Sequence, residues 1–248
     1  MKSLVIPRIT VTENVFGFMD SLPAHHIDHN SWPAFETDCS ARVVIAYGSN
    51  TLFVKYYVVE SKLKVLSREI NSAVNKDNCV ELFLSFGNDA NYYNLEFNCL
   101  GAGKIAYGEN RDNRVLLDPG LVSQIDTDIS LETIGNRCHW ELMLSIPSRV
   151  FKFNNVNFSE GQEGKANFYK CGDDLPQPHF LSWNRIETER PDFHQPSFFG
   201  SVIFSSDPQS DPGYTTSFPV EMVKDLITRN RRKKIYFLSI FVYVTGGH

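Results

Sequence analysis

Tyr92-Tyr93-Asn94-Leu95-Glu96-Phe97-Asn98-Cys99 alternates without a break. Tyr93, Leu95, Phe97 and Cys99 fall on one face of an extended chain, and Tyr92, Asn94, Glu96 and Asn98 on the other. Residues 78–86 repeat the pattern, with Val80, Leu82, Leu84 and Phe86 on the apolar face and Cys79, Glu81, Phe83 and Ser85 on the far side. A short Gly-Asn-Asp turn separates the two, which predicts a pair of antiparallel strands. Side by side they present Glu81, Asn94, Glu96, Asn98 and Tyr92 on one surface, planar groups able to hold vicinal hydroxyls. A solvated outer sheet face is the plain alternative. Asparagine is poor in strands, so two on one face ask for a further reason.

Outward from this pair the same punctuation continues. Strands are predicted over 43–47, 51–59, 139–146, 166–170, 180–183 and 199–204. In the third of these strands from the N-terminus, Trp140, Leu142, Leu144 and Ile146 point inward. Residues 118–120, Asp-Pro-Gly, are a turn, and 101–113 is glycine-rich and then charged. Gly101-Ala102-Gly103 is followed by no G-K-[ST] and no helix, so it is not a phosphate loop. Arg111 and Arg114 could fork onto sugar hydroxyls or stay solvated. The first forty residues are irregular, and Pro23 and Pro33 confine His25-His26-Ile27-Asp28-His29 to a loop rather than a metal-binding helix. Trp32 reads as a plug at the core edge.

The segment 167–200, NFYKCGDDLPQPHFLSWNRIETERPDFHQPSFFG, is aromatic and rich in proline. A long irregular connection costs ordering entropy and persists where it binds or covers something. Its rings beside His179, His194, Asp173 and Asp192 suit a sugar, whose C–H face stacks on a ring while its hydroxyls take directed hydrogen bonds. The expected organisation is one sandwich over residues 1–206 and a C-terminal extension over 207–248. In that extension Pro219 opens a short helix, and the apolar run 235–244 forms an edge strand. That run is far shorter than the about 20 residues of a membrane-spanning helix.

With 248 residues, 24 basic against 29 acidic and a net charge of -5, the chain is globular and offers no nucleic-acid surface. Five cysteines without C-x-x-C spacing indicate neither a disulfide framework nor a zinc motif. The opening residues carry no export signal, so the compartment stays unassigned, as does the oligomeric state.

Blocks in this order resemble the family 9 carbohydrate-binding modules. They are Ile27-Asp28 with Trp32-Pro33, residues 77–83, residues 92–98, residues 140–147, and the series 167–173, 178–183, 191–194 and 198–200. The resemblance implies an all-β fold, a jelly-roll-like β-sandwich of two antiparallel sheets, here with a short helix and strand tail. It implies a bound carbohydrate and structural calcium. Trp183 matches one stacking tryptophan; a tyrosine or phenylalanine would take the opposing place. Asn94, Glu96, Asn98 and Arg114 match the polar binding strand, with His179 and Asp192 as further groups from the aromatic segment. Asp77, Asp89 and Asp126 are available oxygens for calcium, although no D-x-[DN]-x-[DN]-G loop exists.

The expected function is non-catalytic carbohydrate binding that assists polysaccharide breakdown. The alternatives are a glycosidase using Glu81 with Glu96 or Asp173 with Asp192, a thiol nucleophile at Cys171 served by His179 or His194, and a protein-binding sandwich.

Overall fold

The computed structural model describes residues 1–10, 14–48 and 50–206; the extension expected over 207–248 lies outside them. In chain order the strands are β1 (Ser3–Pro7), β2 (His25–His26), β3 (His29–Asn30), β4 (Ser40–Tyr47), β5 (Thr51–Glu60), β6 (Cys79–Phe86) and β7 (Tyr92–Asn98). They continue with β8 (Gly103–Gly108), β9 (Arg114–Leu116), β10 (Asp126–Ile134), β11 (Arg137–Pro147), β12 (Glu163–Gly172), β13 (His179–Ser182) and β14 (Gly200–Ser205). Among the described residues the α-helices are single turns, α1 (Val15–Phe18) and α2 (Pro119–Val122). Asp118 caps the second, its carboxylate accepting from Gly120 N, with Pro119 at the first helical position.

The strands form two sheets, and the fold is an all-β sandwich. The larger runs β1-β14-β12-β6-β7-β8-β9, with β13 joined to β12 and β3 to β13; the smaller runs β10-β11-β5-β4-β2. The pairing is antiparallel apart from β1 on β14, because the N-terminal strand enters at the sheet edge beside the last strand and is joined to it by no hairpin. Residues 103–108, for which no strand was predicted, form one whose two glycines sit where neighbouring parts of the chain come close. A Cβ on Gly108 would lie 2.1 Å from Asn113 O, and one on Gly103 would lie 2.4 Å from the Phe97 ring. The histidine run is split between two short strands in different sheets.

The apolar faces meet as expected. Val43, Ile45, Val54, Tyr56, Trp140 and Leu142 from the smaller sheet pack with Leu82, Leu84, Leu95 and Phe97 from the larger in the central core. Burial at this density is the main stabilising term of such a fold. On the outer face of the smaller sheet Met143 packs with Met19 and Val44. There the wholly buried Lys55 ammonium pairs with Asp20 and, at 3.0 Å, with Glu141. The edge strand β10 is exposed and carries Asp126, Asp128 and Glu132, charges that oppose edge-to-edge association.

The second face of the larger sheet departs from the pattern of a solvated surface. Every residue of β6 and β7 is buried on both sides. Cys79, Phe83, Tyr92, Tyr169 and Cys171 from the sheet pack against Trp32, Ile186, Phe193 and Phe199, so the aromatic segment is a cover with its own small core. Phe193 stacks on Tyr169 at 4.2 Å and 11°.

Candidate functional site

The cover does not close completely. Between it and the far face lies a half-open cavity of about 310 Å³. Its floor is a ladder across four neighbouring strands. In register, Glu81 on β6 stands opposite Glu96 on β7, and Glu96 opposite Lys104 on β8. Arg114 on β9 continues the polar wall, and Phe180, Pro191, Asp192, Phe193 and His194 come down from the cover.

Glu96 is buried and organises the wall. It receives a hydrogen bond from Asn94 Nδ2 at 2.6 Å and pairs with Lys104 at 3.3 Å and Arg114 at 3.5 Å. Burial raises its pKa, and the Lys104 and Arg114 charges oppose that rise. Glu81 lies well above the usual carboxylate range because of burial first and Glu96 second. Arg114 Nη1 and Asn94 Oδ1 are buried without a hydrogen bond. Such groups are costly to leave unmatched, and Arg114 faces the cavity.

At the mouth Arg111 Nη2 donates to Asp192 Oδ1 at 2.8 Å, tying the β8–β9 turn to the cover. Asp192 also accepts from His194 N and from Gln195 Nε2. His194 Nδ1 lies 2.7 Å from the Tyr92 hydroxyl. Burial, then Arg114 and Arg111, hold this imidazole down to about 3, so it is neutral.

Of the residues singled out from sequence, Glu96, Arg114 and Asp192 meet at this cavity, with Asn94 bonded to Glu96 behind them. Three others are corrected. Trp183 is only 2 % exposed; Phe168 packs edge-on at 5.6 Å and Gly200 lies against the ring, so no sugar can stack there. Asn98 is consumed internally: its Nδ2 donates to Asp77 and Ser67 O, and its Oδ1 accepts from Leu100 N and Ala102 N. His179 is buried outside this cavity, with Nε2 at 2.9 Å from the Lys170 ammonium, which also pairs with Glu60 at 3.2 Å. Glu60 in turn accepts from Trp140 Nε1 at 2.6 Å. The aromatic rings that do line the cavity are Phe180, which is half-buried, and Phe193. Lys104 was missed because its strand was missed; alternation in residues 103–108 separates Lys104 and Ala106 from Ile105 and Tyr107, and the register that sets Lys104 opposite Glu96 is seen only in the structure.

A thiol–imidazole pair is not formed. Cys171 Sγ contacts Glu81 Oε1 at 3.2 Å, while His179 and His194 are bonded to Lys170 and Tyr92. Two of the three carboxylates weighed for calcium are already engaged within the protein. Asp77 accepts from Leu66 N, Ser67 N and Asn98 Nδ2, and Asp89 from Tyr107, Asn91 and Asn154, so their oxygens are committed to donors. Asp126 is exposed on the edge strand.

Comparison with known proteins agrees with the β-sandwich fold. The model of carbohydrate-binding family 9 matches residues 15–204. A crystal structure of a candidate carbohydrate-binding protein from Bacteroides uniformis is 32% identical, with a TM-score of 0.77 over 82% of this chain and 99% of that one. A family 9 module from Caldicellulosiruptor kristjanssonii in complex with cellotriose is 14% identical, with a TM-score of 0.54 over 88% of this chain and 100% of that one. The glucose complex of a family 9 module from the same organism gives 13%, 0.52, 84% and 98%. At such identities the last two show the fold. No curated protein matches the sequence.

Proposed function

The chain belongs to carbohydrate-binding family 9, and from that membership we propose that the cavity beneath the aromatic cover binds a small sugar or a carbohydrate chain end without altering it. The observation that carries this reading is the ladder Glu81–Glu96–Lys104 with Arg114 beside it. These are two planar acceptors followed by two cationic donors, and one buried guanidinium nitrogen has no hydrogen bond. Vicinal hydroxyls donate to carboxylates and accept from cations, so one sugar ring can engage several of these groups together. Phe180 supplies an apolar side wall for its C–H face. A cavity of about 310 Å³ is at the small end of ligand sites, which suits a terminal residue more than a chain lying across.

The glucose and cellotriose held by the Caldicellulosiruptor modules belong to the same ligand class. Binding rather than hydrolysis is the reading that family membership supports. In carbohydrate breakdown, the module would hold an associated activity near its substrate. A glycan array probed with the full chain, with competition by the free sugar, tests the reading. Competable binding to a defined set of glycans is expected. A folded protein that binds no glycan would refute it.

A further inference from the structure

At the cavity floor lies a cluster that shares one residue, Glu81, with the proposed sugar site and adds two cysteines that sugar binding does not use. Cys79 and Glu81 are two residues apart on β6 and project to the same side of the sheet. Cys171 on β12 stands directly opposite Cys79 in the antiparallel register. All three are buried, and their two sulfurs and a carboxylate oxygen lie within 4.8 Å of one another. Cys171 and Glu81 also line the cavity.

Cys171 Sγ and Glu81 Oε1 are 3.2 Å apart and the three atoms stay within 4.8 Å of one another, which brackets the separation a small tetrahedral ion needs. With metal–sulfur bonds of about 2.3 Å and metal–oxygen bonds of about 2.0–2.2 Å, a tetrahedral centre holds its ligand atoms about 3.5–3.8 Å apart. Thiolates exclude calcium and magnesium and select zinc-like cations. We propose that Cys79, Cys171 and Glu81 form a site for a zinc-class divalent cation, whose fourth position opens towards the cavity. The two thiols release their protons to solvent as the metal–sulfur bonds form, and the metal keeps its charge and oxidation state.

A second cluster in the molecule shows what disqualifies such a grouping. Cys39, Glu60 and His179 meet the same spacing, but the Lys170 ammonium already sits between Glu60 and His179 at 3.2 and 2.9 Å. It takes the place a cation would need. Around Cys79, Glu81 and Cys171 the neighbouring cations Lys104 and Arg114 pair instead with Glu96.

The site does not depend on the sugar reading, and cobalt(II) alone tests it. The full chain, fully reduced and without air, is titrated with cobalt(II) while thiolate-to-cobalt charge-transfer absorption and circular dichroism are recorded. Saturation at one equivalent and displacement by zinc(II) are expected. Cys171→Ser should weaken the absorption and lower affinity by more than about tenfold, the smaller loss seen even when only supporting groups of a metal site are changed. Glu81→Gln should keep the absorption and lose about tenfold in affinity. Cys138→Ser, outside the cluster, should match the parent. No charge-transfer absorption in the folded, reduced parent would overturn the proposal, as would an unchanged titration in folded Cys171→Ser and Glu81→Gln.

Discussion

Arg114 Nη1 lies 3.5 Å from Glu96 Oε1, near enough for charge pairing, yet that nitrogen is buried and makes no hydrogen bond. Glu96 thus holds the guanidinium in place while leaving a donor for something else. Removing the anchor exposes the dependence. Glu96→Ala leaves Lys104 and Arg114, each 18% exposed, without the counter-charge they share. A loss of about 1–3 kcal/mol in urea-unfolding free energy is expected. A change below about 0.5 kcal/mol would mean that the pairs carry no weight.

Trp183 makes a different case, since its burial assigns it to the core. Trp183→Ala should cost about 3–5 kcal/mol, the range for truncating a buried aromatic side chain. Trp183→Phe should stay folded and bind sugar as the parent does. A Phe variant with full stability but no sugar affinity would restore the tryptophan as a stacking platform.

The Lys170 ammonium, wholly buried, is held by Glu60, His179 Nε2 and Cys171 O. Lys170→Met would strand Glu60, 3% exposed, as an uncompensated buried charge. About 3–5 kcal/mol of destabilisation is expected from denaturant unfolding. Pairing the change with Glu60→Gln should recover a large part of it, and additive losses would show that the two side chains are not coupled.

Two histidines set the acid side of the stability curve. Burial with nearby arginines holds His194 down to about 3, and burial with Lys170 holds His179 down to about 4. The unfolded chain therefore binds more protons than the folded one from the ordinary value of 6.5 downward. Their contribution is complete above that value and is lost as pH falls through it towards the folded values, with a slope of at most about 1.4 kcal/mol per pH unit for each ring. His194→Asn should flatten unfolding free energy against pH between 6.5 and 4. An unaltered slope would show that the ring is not held neutral.

The sandwich was legible in the sequence because period-two alternation at β6, β7 and β11 is a local signal, and the inward sets are the ones that build the central core between the sheets. The ladder was half legible. Glu81 and Glu96 were placed on one surface by alternation, but which residues of that surface reach a ligand depends on the fold of 173–199, and nothing local encodes it. Asn98 looked like a binding group and is a loop latch on Asp77; Trp183 looked like a platform and is core. Asparagines and tryptophans serve either purpose, and only the tertiary neighbours separate them. The cluster of Cys79 with Cys171 was invisible because they are 92 positions apart in sequence while the strand register brings them together.

The most direct test is calorimetric titration of the best sugar from the glycan array into the parent chain and Arg114→Ala, with Arg137→Ala, away from the cavity, as control. Loss of a charge-assisted hydrogen bond to the ligand should weaken binding by at least about tenfold in Arg114→Ala and leave Arg137→Ala unchanged. Equal affinity in all three, with circular dichroism confirming the fold, would place the sugar somewhere other than this cavity.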